Sequence, residues 1–300
     1  MTLPQKLFLV SVKLLSSLPW RMLYFLSDFV AFVVYYIIGY RKKVVYENLT
    51  NSFPYKSKKE IRKIARQFYR HLADILVETI CEEKIIPNVS AHMRFKDKEL
   101  LDRLYKTGKS VIFVGGHSGN WEWVGISMEA LAPYKARGVI KPLSDPFFNN
   151  YIENIRSKYS SGVISFKQIL RFMLKSKGQQ FLYMFATDQT PHRDEINYWV
   201  HFLNQPTPVF LGTEKIAKAL DMPVIYLDCY RVKRGCYELA MTLITDAPKL
   251  TEEFEITDKQ FALLEQSIIN RPYNWLWSHR RWKYKDEYPK YLEQLAQSTQ

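Results

Sequence analysis

Residues 111–125, VIFVGGHSGNWEWVG, run from an apolar stretch through two glycines into a sequence with helical character. A short apolar run that ends at Gly-Gly is typical of a buried strand followed by a sharp turn. The helix after this turn would begin near residues 118–120. The stretch therefore predicts a strand–turn–helix unit, with His117 in the turn and Glu122 in the first turn of the helix.

The alternation of strands and helices continues along most of the chain. Further strand-like runs lie at residues 137–142, 180–188, 223–231 and 237–245. Helical patterns lie at residues 57–83, 97–106, 120–131, 147–159, 165–176 and 211–220. This order predicts an α/β domain with a largely parallel central sheet flanked by helices. Sites in such sheets collect beyond the carboxyl ends of strands, which is where residues 115–122 fall.

His117 and Glu122 could act as a pair. Residues five apart are about 140° apart around one regular helix, but a turn at Gly115 and Gly116 would let them meet. A carboxylate that accepts the imidazole proton leaves the other ring nitrogen as a base for a hydroxyl. The H-x4-E spacing is equally that of an ordinary loop histidine before a glutamate that starts a helix.

Other chemistries fit this stretch less well. Ser118 follows His117 directly and is badly placed to form a nucleophile–base pair with it, and GHSGN departs from G-x-S-x-G. The sequence contains neither H-E-x-x-H nor a Cys/His cluster, so no metal site is predicted. Its three cysteines (Cys81, Cys229, Cys236) suggest free thiols in a reducing compartment.

The N-terminal segment predicts a membrane helix. Residues 22–40, MLYFLSDFVAFVVYYIIGY, carry one charge, Asp28, and 19 helical residues span about 28 Å, close to a hydrocarbon core of about 30 Å. Arg21 and the basic residues 41–43 flank the segment. It could span the membrane or lie in its surface; a buried core helix is the alternative.

The net charge of +13 suits an anionic partner, such as an acidic membrane face, a phosphorylated lipid or an acidic carrier protein. No recognisable nucleic-acid-binding motif is present, and the apolar N-terminus has no purpose in that interpretation. We therefore expect no nucleic-acid partner. No linker divides the chain, so we expect an N-terminal anchor over residues 1–43 and one catalytic domain over residues 44–300.

Several blocks occur in order along the chain: YRKKVVYENLTNSFP (40–54), GGHSGNWEW (115–123), ATDQTP (186–191), VHFLNQPTPVFLGTEKIAKALDMPVIYLDCYR (200–231) and WSHRRWK (277–283). Together they resemble the lipid A biosynthesis acyltransferase family, late acyltransferases of the lauroyl and myristoyl type. These belong to the lysophospholipid acyltransferase superfamily and carry an H-x4-D/E motif. The resemblance covers nearly the whole chain and implies a glycerol-phosphate-acyltransferase-like fold behind a membrane helix.

Carried over to this sequence, the resemblance makes His117 the general base and Glu122 its orienting partner. Lys141 stands where the family has an arginine, which keeps a cation but loses the planar fork, and Arg137 or Arg156 could share its role. The resemblance implies substrate-binding roles for Lys141, Arg156, Asp188, Gln189, Gly212, Thr213, Arg231, Arg280 and Arg281.

The resemblance also implies a function: transfer of a fatty acyl chain from an acyl thioester on acyl carrier protein to a hydroxyl of a lipid A precursor, an anionic glycolipid. No metal or tightly held cofactor is implied, and the expected location is the cytoplasmic face of a bacterial inner membrane. Coenzyme A is the alternative donor; a lysophospholipid, an aminolipid or a phosphoinositide mannoside is the alternative acceptor. A non-catalytic membrane lipid-binding protein is the alternative of another class.

Overall fold

A computed structural model describes residues 2–140, 145–159 and 162–298 of the chain. Its strands are β1 Met93–Phe95, β2 Val111–Gly115, β3 Lys135–Ile140, β4 Val163–Ser165, β5 Phe181–Ala186, β6 Tyr198–Phe202, β7 Gln205–Val209, β8 Val224–Lys233 and β9 Cys236–Thr245. Its helices are α1 Leu3–Ser17, α2 Trp20–Phe32, α3 Lys42–Ser52, α4 Lys58–Ile80, α5 Val89–His92, α6 Glu99–Tyr105, α7 Trp121–Leu131, α8 Pro146–Tyr159, α9 Ile169–Lys175, α10 Gly212–Leu220, α11 Glu255–Asn270 and α12 Tyr288–Ser298.

Within the described residues, seven strands form one sheet in the order β1-β9-β8-β2-β5-β3-β4. The strands from β8 to β4 are parallel to one another, whereas β9 pairs with β8 antiparallel. The central strand β2 is buried along Val111–Val114, with helices on both faces of the sheet. This arrangement confirms the predicted α/β class with a largely parallel sheet flanked by helices.

The predicted elements correspond to observed ones with shifts of a few residues at their ends. The predicted amphipathic helix is α4, and Ser57 caps it in a capping box with Glu60. The strand predicted at 137–142 is β3, which begins at Lys135; residues 141 and 142 lie outside the described ranges. The short edge strands β1 and β4 and the β6–β7 hairpin were not predicted.

The predicted N-terminal helix is continuous. Helix α2 leads into a π-helical segment, Val33–Ile38, which ends at Gly39 in the left-handed region. By length and composition, the helix Trp20–Ile38 could cross a membrane. It packs against α4 with one face, and its other face is exposed. The boundary at residue 43 stays a prediction.

Candidate active site

The pairing of β2 with β5 sets the position of the candidate site. Gly115, the last residue of β2, pairs in register with Ala186, the last residue of β5. Because the two strands are parallel, residues two positions beyond each end leave the sheet at the same edge. Those residues are His117 and Asp188.

Asp188 holds His117 at two points. The Nδ1 atom of His117 lies 2.7 Å from Oδ1 of Asp188, and the backbone N–H of His117 donates to Oδ2 at 2.8 Å. The indole N–H of Trp275 also donates to Oδ2, at 2.7 Å. Three bonds to one enclosed carboxylate fix both the loop and the imidazole ring.

The charge of Asp188 is maintained despite its burial. Its exposed fraction is 2%. Burial alone would raise its pKa, but the neighbouring His117 and the hydrogen bonds from His117 and Trp275 lower the pKa to about 2. Asp188 is therefore an anion throughout the physiological pH range, buried beside the imidazole.

The hydrogen bonds around His117 define its tautomer. The amide nitrogen of Gln189, which can only donate, lies 3.3 Å from Nε2 of His117. Nε2 is consequently the acceptor, and Nδ1 carries the proton that is donated to Asp188. In this tautomer the basic lone pair lies on Nε2, where it accepts the N–H of Gln189.

Two glycines allow the loop to follow this path. A Cβ on Gly116 would lie 2.7 Å from Cδ1 of Leu264 and 3.2 Å from Oδ2 of Asp188. Gly119 has a φ of 60°, and a Cβ there would lie 2.5 Å from the carbonyl oxygen of Cys229. A larger residue at either position would displace the loop from the carboxylate or from β8.

The start of α7 is also fixed by a buried network. Asn120 caps the helix by accepting the Trp123 N–H at 2.9 Å, and its amide donates to Glu78 Oε2 at 2.8 Å. Glu78 in α4 is completely buried and accepts further bonds from the hydroxyls of Tyr24 and Tyr237. Helix α2, helix α4 and strand β9 are thereby connected to the loop that carries His117.

A cavity of about 790 Å³ opens in front of His117. Glu122 and Gln189 line it together with His117, and α8 contributes Asn149 and Glu153. The rest of its wall is largely apolar and comes from Trp121, Val124, Val139, Ile140, Val163, Met184, Phe185 and Leu227. Its size and lining are typical of a ligand pocket with a few polar groups.

The structure places the other predicted site residues in different surroundings. Lys141 lies outside the described residues, and the side chain of Arg156 in α8 is not among those described. Gly212 and Thr213 form the first turn of α10 and do not line the cavity. Their predicted roles, like those of the other site residues, stay predictions.

The three other arginines that were predicted to bind substrate lie in different surroundings. Arg231 in β8 donates to the buried Asp74 of α4 at 2.8 Å. Arg281 is completely buried, and its Nη2 donates to the Pro208 carbonyl at 2.8 Å. Neither lines the cavity at His117, whereas Arg280 is exposed and lines a second, basic cavity.

Sequence reasoning did not single out Trp275 or Glu78. Trp275 forms an isolated bridge with Ser118, and the next residue, Leu276, donates its N–H to the His117 carbonyl at 3.1 Å. The available signal was that a buried tryptophan N–H usually finds an acceptor. No sequence pattern relates Glu78 to residue 120.

Comparison with known proteins gives one family. The description of the matching family is bacterial lipid A biosynthesis acyltransferase, and the match extends over residues 5–284. No curated protein sequence matches the chain.

Proposed function

Because this chain belongs to the bacterial lipid A biosynthesis acyltransferase family, we propose that it transfers a fatty acyl chain from acyl carrier protein to a hydroxyl of a lipid A precursor. The observation that carries this proposal is the contact between Nδ1 of His117 and Oδ1 of Asp188 at 2.7 Å, beside a largely apolar cavity. It supplies an oriented base next to a compartment suited to an acyl chain.

In the proposed step, Nε2 of His117 takes the proton of the acceptor hydroxyl as its oxygen attacks the thioester carbonyl. A tetrahedral intermediate forms, the carbon–sulfur bond breaks, and the thiolate of the carrier takes the proton from the imidazolium. The ester and the free thiol are the products. No acyl group is stored on the protein, so donor and acceptor must be bound together.

Asp188 stabilises the imidazolium that forms in this step. Its carboxylate is already ionised and hydrogen-bonded, so little rearrangement accompanies the proton transfer. Trp275 helps to keep it in that state. We propose that Glu122, which lines the cavity, assists the same imidazole from the cavity side.

We propose that the N-terminal helices bind the membrane surface. Exposed apolar side chains on α1 and α2 include Leu3, Leu7, Val10, Leu14, Met22, Phe25, Phe29 and Phe32. Midway along the helix Trp20–Ile38, however, Asp28 pairs with Arg70 at 3.1 Å, and both side chains are substantially exposed. A spanning helix would carry this pair into hydrocarbon at high cost, whereas a helix lying in the interface would not. We propose that the protein binds to the cytoplasmic face of the inner membrane.

The experiment that tests this function uses purified protein, labelled acyl carrier thioester and separate acceptors: a lipid A precursor and a lysophospholipid. We expect the precursor to gain the mass of one acyl chain, with sequential kinetics and no labelled protein when acceptor is omitted. Faster acylation of the lysophospholipid would contradict the proposed acceptor. A stoichiometric acyl-protein would contradict direct transfer.

A further inference from the structure

A second cavity, of about 320 Å³, lies outside the catalytic one. It shares no lining residue with the catalytic cavity, and its ionisable side chains are four cations and a single carboxylate, Glu47. The cations are Lys43, Arg280, Lys283 and Lys285. None of the four forms an ion pair with an Asp or Glu among the residues that the structure describes. A concave site with excess positive charge favours an anion.

The walls of this basic cavity are tied together. One wall is α3 and the other is the segment 280–285. The amide of Asn48 in α3 donates to the carbonyls of Trp277 and His279, both at 2.9 Å. Arg41 donates to the carbonyl of Ser278 at 3.0 Å. The cations are therefore held around a common space by two elements that are joined through buried and partly buried hydrogen bonds.

One residue of the basic cavity, Lys43, is close in sequence to the exposed apolar end of the N-terminal helix. Ile37 and Ile38 are 69% and 65% exposed, and Lys43 follows Ile38 by five residues. At a membrane surface, apolar side chains enter the acyl region while nearby lysines meet lipid phosphates. An amphiphile with a phosphate head and an apolar tail would match both parts.

We propose that the basic cavity binds the phosphate of an anionic membrane phospholipid, as an anchoring site separate from the site of acyl transfer. The lipid tail would lie along Ile37 and Ile38, and the headgroup phosphate would lie between Lys43 and Lys285. An acidic protein partner fits less well, because protein–protein interfaces generally extend over about 800 Å² per partner, whereas this site is a small recess.

The test compares two pairs of substitutions by vesicle co-sedimentation. Lys43→Gln/Lys285→Gln removes two charges from the basic cavity. Lys96→Gln/Lys98→Gln removes two exposed charges that line neither cavity. We expect the first pair to reduce binding to vesicles with 30% phosphatidylglycerol by about tenfold or more, at about fivefold per charge, without changing binding to pure phosphatidylcholine vesicles. An equal loss in both pairs would show non-specific attraction and overturn the proposal.

Calorimetry distinguishes the source of the phosphate. Monomeric dihexanoylphosphatidylglycerol should bind the wild-type protein, and bind the Lys43→Gln/Lys285→Gln protein much more weakly. Inorganic phosphate that binds the wild-type protein as tightly as this lipid would overturn the lipid assignment. The lipid assignment would also be overturned if the double variant bound acyl carrier protein more weakly than the wild-type protein does but bound vesicles equally well. None of these measurements depends on acyl transfer, so they can fail while the proposed function stands.

Discussion

Asp188 accepts two hydrogen bonds from His117, one from the imidazole at 2.7 Å and one from the backbone N–H at 2.8 Å. A single carboxylate thus sets both the position of the loop and the tautomer of the ring. The two residues are 71 positions apart in the sequence and meet because β2 and β5 are paired in register.

Asp188→Asn should lower turnover by roughly two to four orders of magnitude. An amide can donate to Nδ1, which would leave the imidazole proton on Nε2 and remove the base. The measurement is steady-state acyl transfer with the folded state checked by circular dichroism. Asp194→Asn, at a highly exposed acidic residue six positions later, should retain full activity and serves as the control. Full activity in a folded Asp188→Asn protein would refute the role of the carboxylate.

Glu122→Gln should lose most activity, whereas Glu122→Asp should keep some of it. If Glu122 and Asp188 act on the same imidazole, the double variant Asp188→Asn/Glu122→Gln should be little worse than the more damaging single variant. Turnover numbers for the four proteins of the cycle decide this point. If the loss of turnover in the double variant equals the product of the two single losses, the two carboxylates act independently.

Trp275→Phe should lower the free energy of unfolding by about 1–3 kcal/mol and turnover by about tenfold, because Asp188 loses a charge-assisted donor. Trp199→Phe is the matched control, since the buried Nε1 of Trp199 has no hydrogen-bond partner among the described residues. Chemical denaturation and kinetics of both proteins provide the comparison. Equal losses of stability and turnover in the two variants would show that the effect comes from indole packing and not from the hydrogen bond to Asp188.

Glu78 should make stability depend on pH near neutrality. Burial raises the pKa of Glu78 to about 7, even though the hydroxyls of Tyr237 and Tyr24 donate to it. A raised pKa in the folded state means that protonation stabilises the fold. This contribution is complete below about pH 4.5 and is lost as the pH rises through about 7.

The variant Glu78→Gln mimics the protonated side chain and should remove that slope, by up to about 1.4 kcal/mol per pH unit. Unfolding free energies between pH 5 and pH 8, a range of roughly three units around the shifted pKa, test this expectation. The exposed Glu293→Gln serves as the control. Identical pH profiles for wild type and Glu78→Gln would show that Glu78 does not titrate in this range.

Phe25→Gln/Phe29→Gln should weaken binding to neutral phosphatidylcholine vesicles, because these side chains are 79% and 61% exposed on the outer face of α2. Leu250→Gln removes an equally exposed apolar side chain away from the N-terminal helices and should have little effect. Vesicle co-sedimentation measures the membrane binding of both variants. Unchanged binding of the double phenylalanine variant would place the apolar membrane contact elsewhere.

The features that could be predicted from the sequence are those that depend on local residue patterns. Apolar runs located β2, β5, β8 and β9, and the Gly-Gly turn placed His117 at the carboxyl edge of the sheet. The β6–β7 hairpin was missed because Pro206 and Pro208 interrupt its second strand and its turn residues, Leu203 and Asn204, have positive φ without a glycine. Local patterns cannot show which strands are neighbours, and the contact of Asp188 with His117 depends on that.

The same limit applies to Trp275 and Glu78. Trp275 reaches Asp188 from 87 positions away, and Glu78 reaches Asn120 from 42 positions away. Both contacts depend on tertiary packing, which hydrophobic periodicity does not specify. The resemblance predicts His117 and Glu122 as a pair and Asp188 as a substrate-binding residue. The structure places Asp188 against Nδ1 of His117, on the side of the ring opposite the nitrogen that faces Gln189.

The most direct test of the central claim is the turnover of His117→Ala with acyl carrier thioester and a lipid A precursor. The exposed His192→Ala is measured in parallel as the control. We predict that His117→Ala turns over roughly 10²–10⁴ times more slowly than wild type while remaining folded by circular dichroism, and that His192→Ala retains wild-type turnover. A folded His117→Ala protein with turnover within about tenfold of wild type would contradict a mechanism in which this histidine is the base.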